Sequence, residues 1–354
     1  MPRRHLPQNL RTSPMDAATL LAALRTGHDL PPSPELAESA LWLTPNSTGN
    51  TPLHVAARHG RLNIVPPALF TPECFSIKNQ AGYTPLHRAF EHTSAPTVLP
   101  PRLLLHDTLA ITSNAGFSSY HTAAANGHLS ILSHSILTSE LLTIRTHLGN
   151  TFLHEAAEAG HLDDVPPVFL NTAAFALANL TGETPFHTAA LNGHLAQIPR
   201  ALITREALLA RTTAGDTVLH AAALAKHLDH VPAEHLVHDT LILASKSGYT
   251  VIHAAAETGQ LAAIPRAALT SDLLKTRTDN GDTPLHAAAS EGHLDQIPAS
   301  ILTTELLSLR NYDGLTPLDI ARHSGHLAQI PEHLLPREPG LFDRIGTALG
   351  VKKK

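Results

Sequence analysis

In TPLHAAASEGHLDQIP, residues 283–298, Leu285, Ala288 and Ala289 fall on one face of a helix, with polar residues on the other. Thr283 stands at a cap position, Pro284 at the first helical position, and Gly292 where a left-handed residue ends a helix. A second apolar stretch starts at His293 and meets Pro298, where a continued helix would lose about 3 kcal/mol. The same pattern runs along the chain. TPLH at 51–54 returns at 84–87, then as SSYH (118–121), TFLH (151–154), TPFH (184–187), TVLH (217–220), TVIH (250–253), TPLH (283–286) and TPLD (316–319). The step is 33 residues throughout, except for one step of 34 between His87 and His121. Alanine always stands two places after the His position, from Ala56 to Ala321. Glycine usually stands six places after it, Thr93 and Lys226 being the exceptions.

These residues resemble the ankyrin repeat, with its 33-residue period and T-P-L-H-x-A signature. The resemblance covers roughly 15–335. It implies an all-α, ankyrin-like helix-turn-helix solenoid with β-turn fingers, built from about ten stacked 33-residue units. The residue chemistry agrees. The constant Ala lets helices approach closely, the Gly supplies a left-handed C-cap, and Lys226 in that slot should be strained. Repeats are expected to start near 51, 84, 118, 151, 184, 217, 250, 283 and 316. Gly27 precedes Thr51 by 24 residues, as Gly292 precedes Thr316, so MDAATLLAALRTG (15–27) fits the first-helix slot of a degenerate capping repeat, 15–50. Residues 1–14 are expected to be a flexible tail. Residues 336–354 are expected to form a capping helix, with Leu341, Phe342, Ile345 and Leu349 on one face, and a Lys tail. A membrane-surface helix is the weaker reading there, because the basic residues are concentrated in three terminal lysines.

The proline recurs too. Pro66, Pro166, Pro199, Pro232, Pro265, Pro298 and Pro331 align, Pro100 joins them after the one-residue insertion, and Ser133 is the exception. The expected arrangement is a short turn after the first helix, then a new short helix with the proline at its first position. LTSELL (137–142), LTSDLL (269–274) and LTTELL (302–307) place Thr or Ser before an acid and a Leu pair, as an N-cap would. Two short turns per repeat, in place of one long second helix, should therefore make the outer layer.

Composition narrows the function. With 43% hydrophobic and 16% charged residues the chain can bury a core, and a formal net charge of -5 argues against nucleic acid or an anionic membrane as partner. One cysteine, Cys74, rules out an intrachain disulfide and suits a reducing, cytoplasmic setting. There is no run of 18 apolar residues, and the apolar stretch after the basic start belongs to the opening repeat rather than to a signal peptide. The 26 histidines invite a metal. Most, however, share one of two repeat positions, and equivalent residues of stacked units lie about 8–10 Å apart. Zinc needs its nitrogens about 2.0–2.1 Å away. The resemblance implies instead that the TPLH-type histidines hydrogen-bond near the Thr cap. Partly buried near helix N-termini, where the positive end of the dipole opposes a charged ring, they should hold pKa values below about 6.5. One irregular stretch, 226–240, gathers His227, Asp229, His230, His235 and His238 in spacings that suit a surface metal, though Pro232 intervenes and solvated polar residues explain it as well. Cys74 reads as a small buried hydrophobe rather than a nucleophile, and Trp42 as core. No glycine-rich phosphate loop or G-x-S-x-G elbow is present.

The expected function is non-catalytic: a protein-interaction scaffold without cofactor or metal, monomeric, taking a partner on the concave face. Turn-tip residues vary where their flanks do not. Tyr83, Phe117 and Tyr249 are candidate anchors; Asn150, Glu183, Asp216 and Asp282 are the other candidate tips. With Glu158, Glu257 and Glu291 on first helices, the acids point to a partner carrying basic groups. The alternatives are a metal-dependent activity at 227–238 and a purely structural, self-assembling scaffold.

Overall fold

The computed structural model describes residues 15–335 apart from 29, 31–33, 93–98 and 134–135. The expected tail, the Thr93 exception and the C-terminal capping helix lie outside the described residues. The chain forms two compact units, residues 1–222 and 223–354. Among the described residues the secondary structure is helical, with isolated antiparallel bridges (Thr112 to Ser118, Arg211 to Thr217, Ala244 to Thr250) in place of strands.

In the first unit, helix Ala17–Thr26 is capped by Asp16, whose carboxylate accepts the Thr19 N–H at 2.8 Å. It packs on Pro52–Arg58, and Pro85–Phe90, Ser119–Ala125, Phe152–Ala159 and Pro185–Leu191 follow side by side. In the second unit, Val251–Thr258, Pro284–Glu291 and Pro317–His323 stack the same way. The repeat-position alanines, from Ala56 to Ala321, are all 0% exposed, so any larger side chain there would push neighbouring helices apart. Trp42 is buried and donates its ring N–H to the Leu36 carbonyl at 2.9 Å. Cys74 is only half-buried, because it sits on an outer turn, Pro72–Phe75, that presents Phe75 to the core. Lys226 has φ 66 and is, among the described residues, the non-glycine with positive φ, as its slot requires.

The outer layer departs from the two-turn expectation. After Pro52–Arg58 come three short turns: 3-10 turns Leu62–Ile64 and Pro67–Leu69, then the α-turn Pro72–Phe75. Pro66 lies one place before the second turn, at φ -53 and ψ 133, as a cap rather than as its first residue. The reason is steric. Proline forces the residue before it into extended backbone, as in Val65 (φ -75, ψ 133), and so ends the preceding turn. Its carbonyl then accepts the first bond of the next turn, Leu69 N–H at 3.0 Å. Pro166 and Pro199 in the first unit, and Pro232 and Pro331 in the second, do the same. After Pro265 and Pro298 the chain makes a plain turn. Thr71, Thr204 and Thr303 cap third turns with their hydroxyls. Thr138 makes no such bond, and Ser139–Thr143 is a 3-10 turn.

The fingers are tight turns. Asn79 N–H donates to the Tyr83 carbonyl at 2.9 Å, and Gly82 N–H to Asn79 at 2.9 Å. Gly82 has φ 81, and a Cβ there would lie 2.5 Å from the backbone nitrogen of Asn114 on the next finger. That closeness lets backbone bonds join the fingers: Asn114 to Ala81 (3.0 Å), His147 to Ala115 (2.9 Å) and Leu180 to Leu148 (2.9 Å) in the first unit. In the second, Asp279 reaches Ser247 and Tyr312 reaches Asn280, both at 3.1 Å.

Candidate functional site

The finger tips owe their placement to the TPLH-type histidines. Thr51 N–H donates to His54 Nδ1 at 3.2 Å, and His54 Nε2 donates to the Tyr83 carbonyl at 3.0 Å. A backbone N–H can only donate and a carbonyl only accept, so the ring is the neutral Nε2–H tautomer. It closes a capping box in which His does the work usual for Glu or Gln. His87 binds the carbonyl of Phe117 (2.9 Å), His121 that of Asn150 (3.2 Å), His154 that of Glu183 (3.1 Å) and His187 that of Asp216 (3.4 Å). In the second unit His253 binds Asp282 (3.0 Å) and His286 binds Leu315 (3.1 Å). Burial holds His54, His87, His121 and His154 down at about 4, and the carbonyl bond offsets only part of this. Burial lowers His187 and His286 too. Desolvation is thus the largest cause; the sequence suggested partial burial together with the helix dipole. Asp319 closes the same box by accepting the Thr316 N–H at 3.1 Å, but as a carboxylate it offers no forward bond. The second histidine set points backward. The His194 ring lies over Gly160 and donates Nδ1–H to the Ala157 carbonyl at 2.8 Å; His326 does so over Gly292 to Ala289 at 3.0 Å.

Four of the candidate residues meet in one groove of the second unit. Tyr249, Glu257, Asp282 and Glu291 line a space of about 450 Å³ with Ser290 and Asn311. The Tyr249 hydroxyl donates to the Glu257 carboxylate, and burial and that carboxylate raise the phenol's pKa. Asp282 accepts from Asn311 Nδ2 at 2.7 Å, and Glu291 accepts from the Ser290 hydroxyl at 3.1 Å. No lysine or arginine is among the lining residues.

In the first unit the candidates are spread out. Asn179 Nδ2 joins two of them, donating to Asn150 Oδ1 at 2.9 Å and to the Glu183 carboxylate at 3.1 Å. Asn150 Nδ2 donates in turn to Glu155 at 3.1 Å. Sequence reasoning missed Glu155. It is 6% exposed, and burial pushes its carboxyl up to about 7, helped by Glu158 and opposed by the Asn150 bond. Its slot, one place after the His, gave no signal, because it takes Arg88, Thr122 and Thr188 as readily as Val55, Ala254 and Ala287. Glu158 is exposed, and Asp216 is half-buried. Tyr83 is half-buried, with the Arg88 guanidinium 4.3 Å over its ring and His87 edge-on at 5.5 Å. Phe117 packs against His121 at 5.9 Å.

At 226–240 the rings of His227 and His230 stack at 5.3 Å, and His230 Nε2 lies 3.9 Å from Asp229. Among the described residues, no group of three or more His, Cys, Asp or Glu is placed to hold a metal. Among them, too, no helix is long and apolar enough to cross a membrane.

A family model described as ankyrin repeat matches residues 48–66 and 280–300. No curated protein matches the chain. Among solved structures, one chain of a complex described as a predatory endopeptidase from Bdellovibrio bacteriovorus with an immunity protein is 26% identical. That match covers 51% of this chain and 93% of that one, with a TM-score of 0.39. The matched segments fall one in each unit, on copies of the unit that recurs through the sequence, and support an ankyrin-repeat assignment.

Proposed function

We propose that this protein is a non-catalytic scaffold whose fingers and first helices receive a protein partner bearing basic side chains. Ankyrin repeats themselves point to protein–protein interaction. The observation that carries the finer reading is the groove around Tyr249, where Glu257, Asp282 and Glu291 stand without a cation among the lining residues. A lysine or arginine entering there meets carboxylates already oriented by Tyr249, Asn311 and Ser290, so little ordering cost is added on binding. Rim ion pairs are worth only about 0–1 kcal/mol each. Most of the affinity is therefore assigned to half-buried aromatic tips, Tyr249 with Tyr83 and Phe117, and the acids supply selectivity and on-rate. No catalytic step is assigned to any residue. In this reading the chain acts as a monomer in the cytoplasm, which the lone Cys74 suits.

The test is affinity capture with the full chain beside a Glu257→Lys, Asp282→Lys, Glu291→Lys variant, with bound proteins identified by mass spectrometry. A partner bound by the native chain, released by salt and absent from the variant supports the assignment. A partner held equally by both removes it.

A further inference from the structure

Five TPLH-type rings of the first unit, those of His54, His87, His121, His154 and His187, are each wedged between two backbone groups that fix their protonation. Thr84 N–H points at His87 Nδ1 (3.1 Å), Ser118 N–H at His121 (3.2 Å), Thr151 N–H at His154 (3.1 Å) and Thr184 N–H at His187 (3.1 Å). The other nitrogen of each ring is spent on the next finger. A proton added at Nδ1 would face an N–H that cannot accept it. The Thr or Ser hydroxyl can turn to accept, but the backbone N–H is then left without its partner in a buried site. The imidazolium therefore fits only if the box opens, and opening frees the finger that the same ring holds.

We infer that His54, His87, His121, His154 and His187 form an acid-operated latch, whose protonation parts the fingers from the first helices of the first unit while the apolar helical layer stays packed. The charges around the rings favour this order. Arg88 on the second of these helices, and Lys78 and Arg145 on the fingers, oppose a positive ring. Glu183 and Asp216 on the later fingers favour one at His154 and His187. Neighbouring rings also repel: His54 acts on His87, His87 and His154 on His121, and His187 on His154. In the closed form one protonated ring discourages the next, so protons enter together when the fingers part, and opening is steep in pH. Burial below 2% exposure for all five rings adds to the resistance of the closed form. The alanines and leucines buried beneath, Ala56, Ala89, Ala123, Ala156 and Leu153 among them, do not titrate, so acid has no direct hold on their packing.

The test uses the full chain labelled with nitrogen-15 and titrated from pH 7.5 to 4. Ring spectra should show the Nε2–H tautomer, with protonation of these histidines coinciding with loss of the finger amide signals while helical circular dichroism persists. Rings that titrate near their ordinary value with fingers intact overturn the latch; so do fingers and helices lost in one step. A His87→Gln, His121→Gln, His154→Gln variant separates latch from bystander, because Gln can accept the cap N–H and donate forward without titrating. Its opening should move to lower pH and take up about three fewer protons. Opening at the same pH with the same proton count would contradict the proposal. If the variant does not fold, the ring and finger signals of the native chain decide alone.

Discussion

Glu155 shows what burial does to a single carboxylate. Its folded pKa of about 7 stands above the ordinary 4.5, so the folded state holds its proton more tightly than the unfolded chain. The stability it contributes is complete below about pH 4.5 and is lost as pH rises through 7. The shift is worth about 3 kcal/mol at most. Glu155→Gln should therefore raise the urea midpoint at pH 8 and leave it nearly unchanged at pH 4.5; equal effects at both would show that the carboxyl is solvated. Lys226 is the complementary case. Its φ of 66 costs about 1 kcal/mol that glycine avoids. Lys226→Gly should stabilise by about 0.5–1 kcal/mol in the same titration, and a loss would mean the lysine stem earns more in packing. Lys226 was legible in the sequence because the glycine frame exposed it as the odd residue. Glu155 was not, since a helical pattern does not tell which polar residue a neighbouring finger will cover.

Among elements, the first helices and their caps followed from TPLH and glycine spacing, and the structure keeps them. The outer layer was legible only as an interruption. Proline spacing excluded a long helix, but 3-10 turns need just three residues each and carry no apolar period to read. The proline's place as cap rather than first residue follows from its effect on the residue before it. Since Pro298 serves the turn after it through its carbonyl, accepting Ile301 N–H at 3.0 Å, Pro298→Ala should cost less than about 1 kcal/mol. Finger glycines should behave oppositely. Gly82→Ala meets the next finger at 2.5 Å from a backbone atom and must hold φ 81, so it should lose at least about 2 kcal/mol. Denaturant titrations of the two variants compare them directly; a larger loss for the proline would reject this account of the outer layer.

At the scale of the molecule, repetition turns small local terms into large ones. His54, His87, His121 and His154 have folded pKa values of about 4 against 6.5, so the unfolded chain binds more protons as pH falls. Their contribution is full above pH 6.5 and drains toward 4. By pH 5 each has lost up to about 2 kcal/mol, a large share of a domain's stability of about 5–15 kcal/mol when four act together. The thermal midpoint at pH 5 should fall clearly below that at pH 7.5, and equal midpoints would mean the rings are solvated. The candidate site depends on the same repetition. Tip residues were legible as variable positions between constant flanks, yet only the structure gathers Tyr249, Glu257, Asp282 and Glu291 into one groove. The most direct test of that groove is hydrogen–deuterium exchange of the full chain with and without a captured partner. Protection is predicted in the finger and first-helix segments 247–257 and 278–291; protection confined to the outer turns at 294–308 would contradict the assignment.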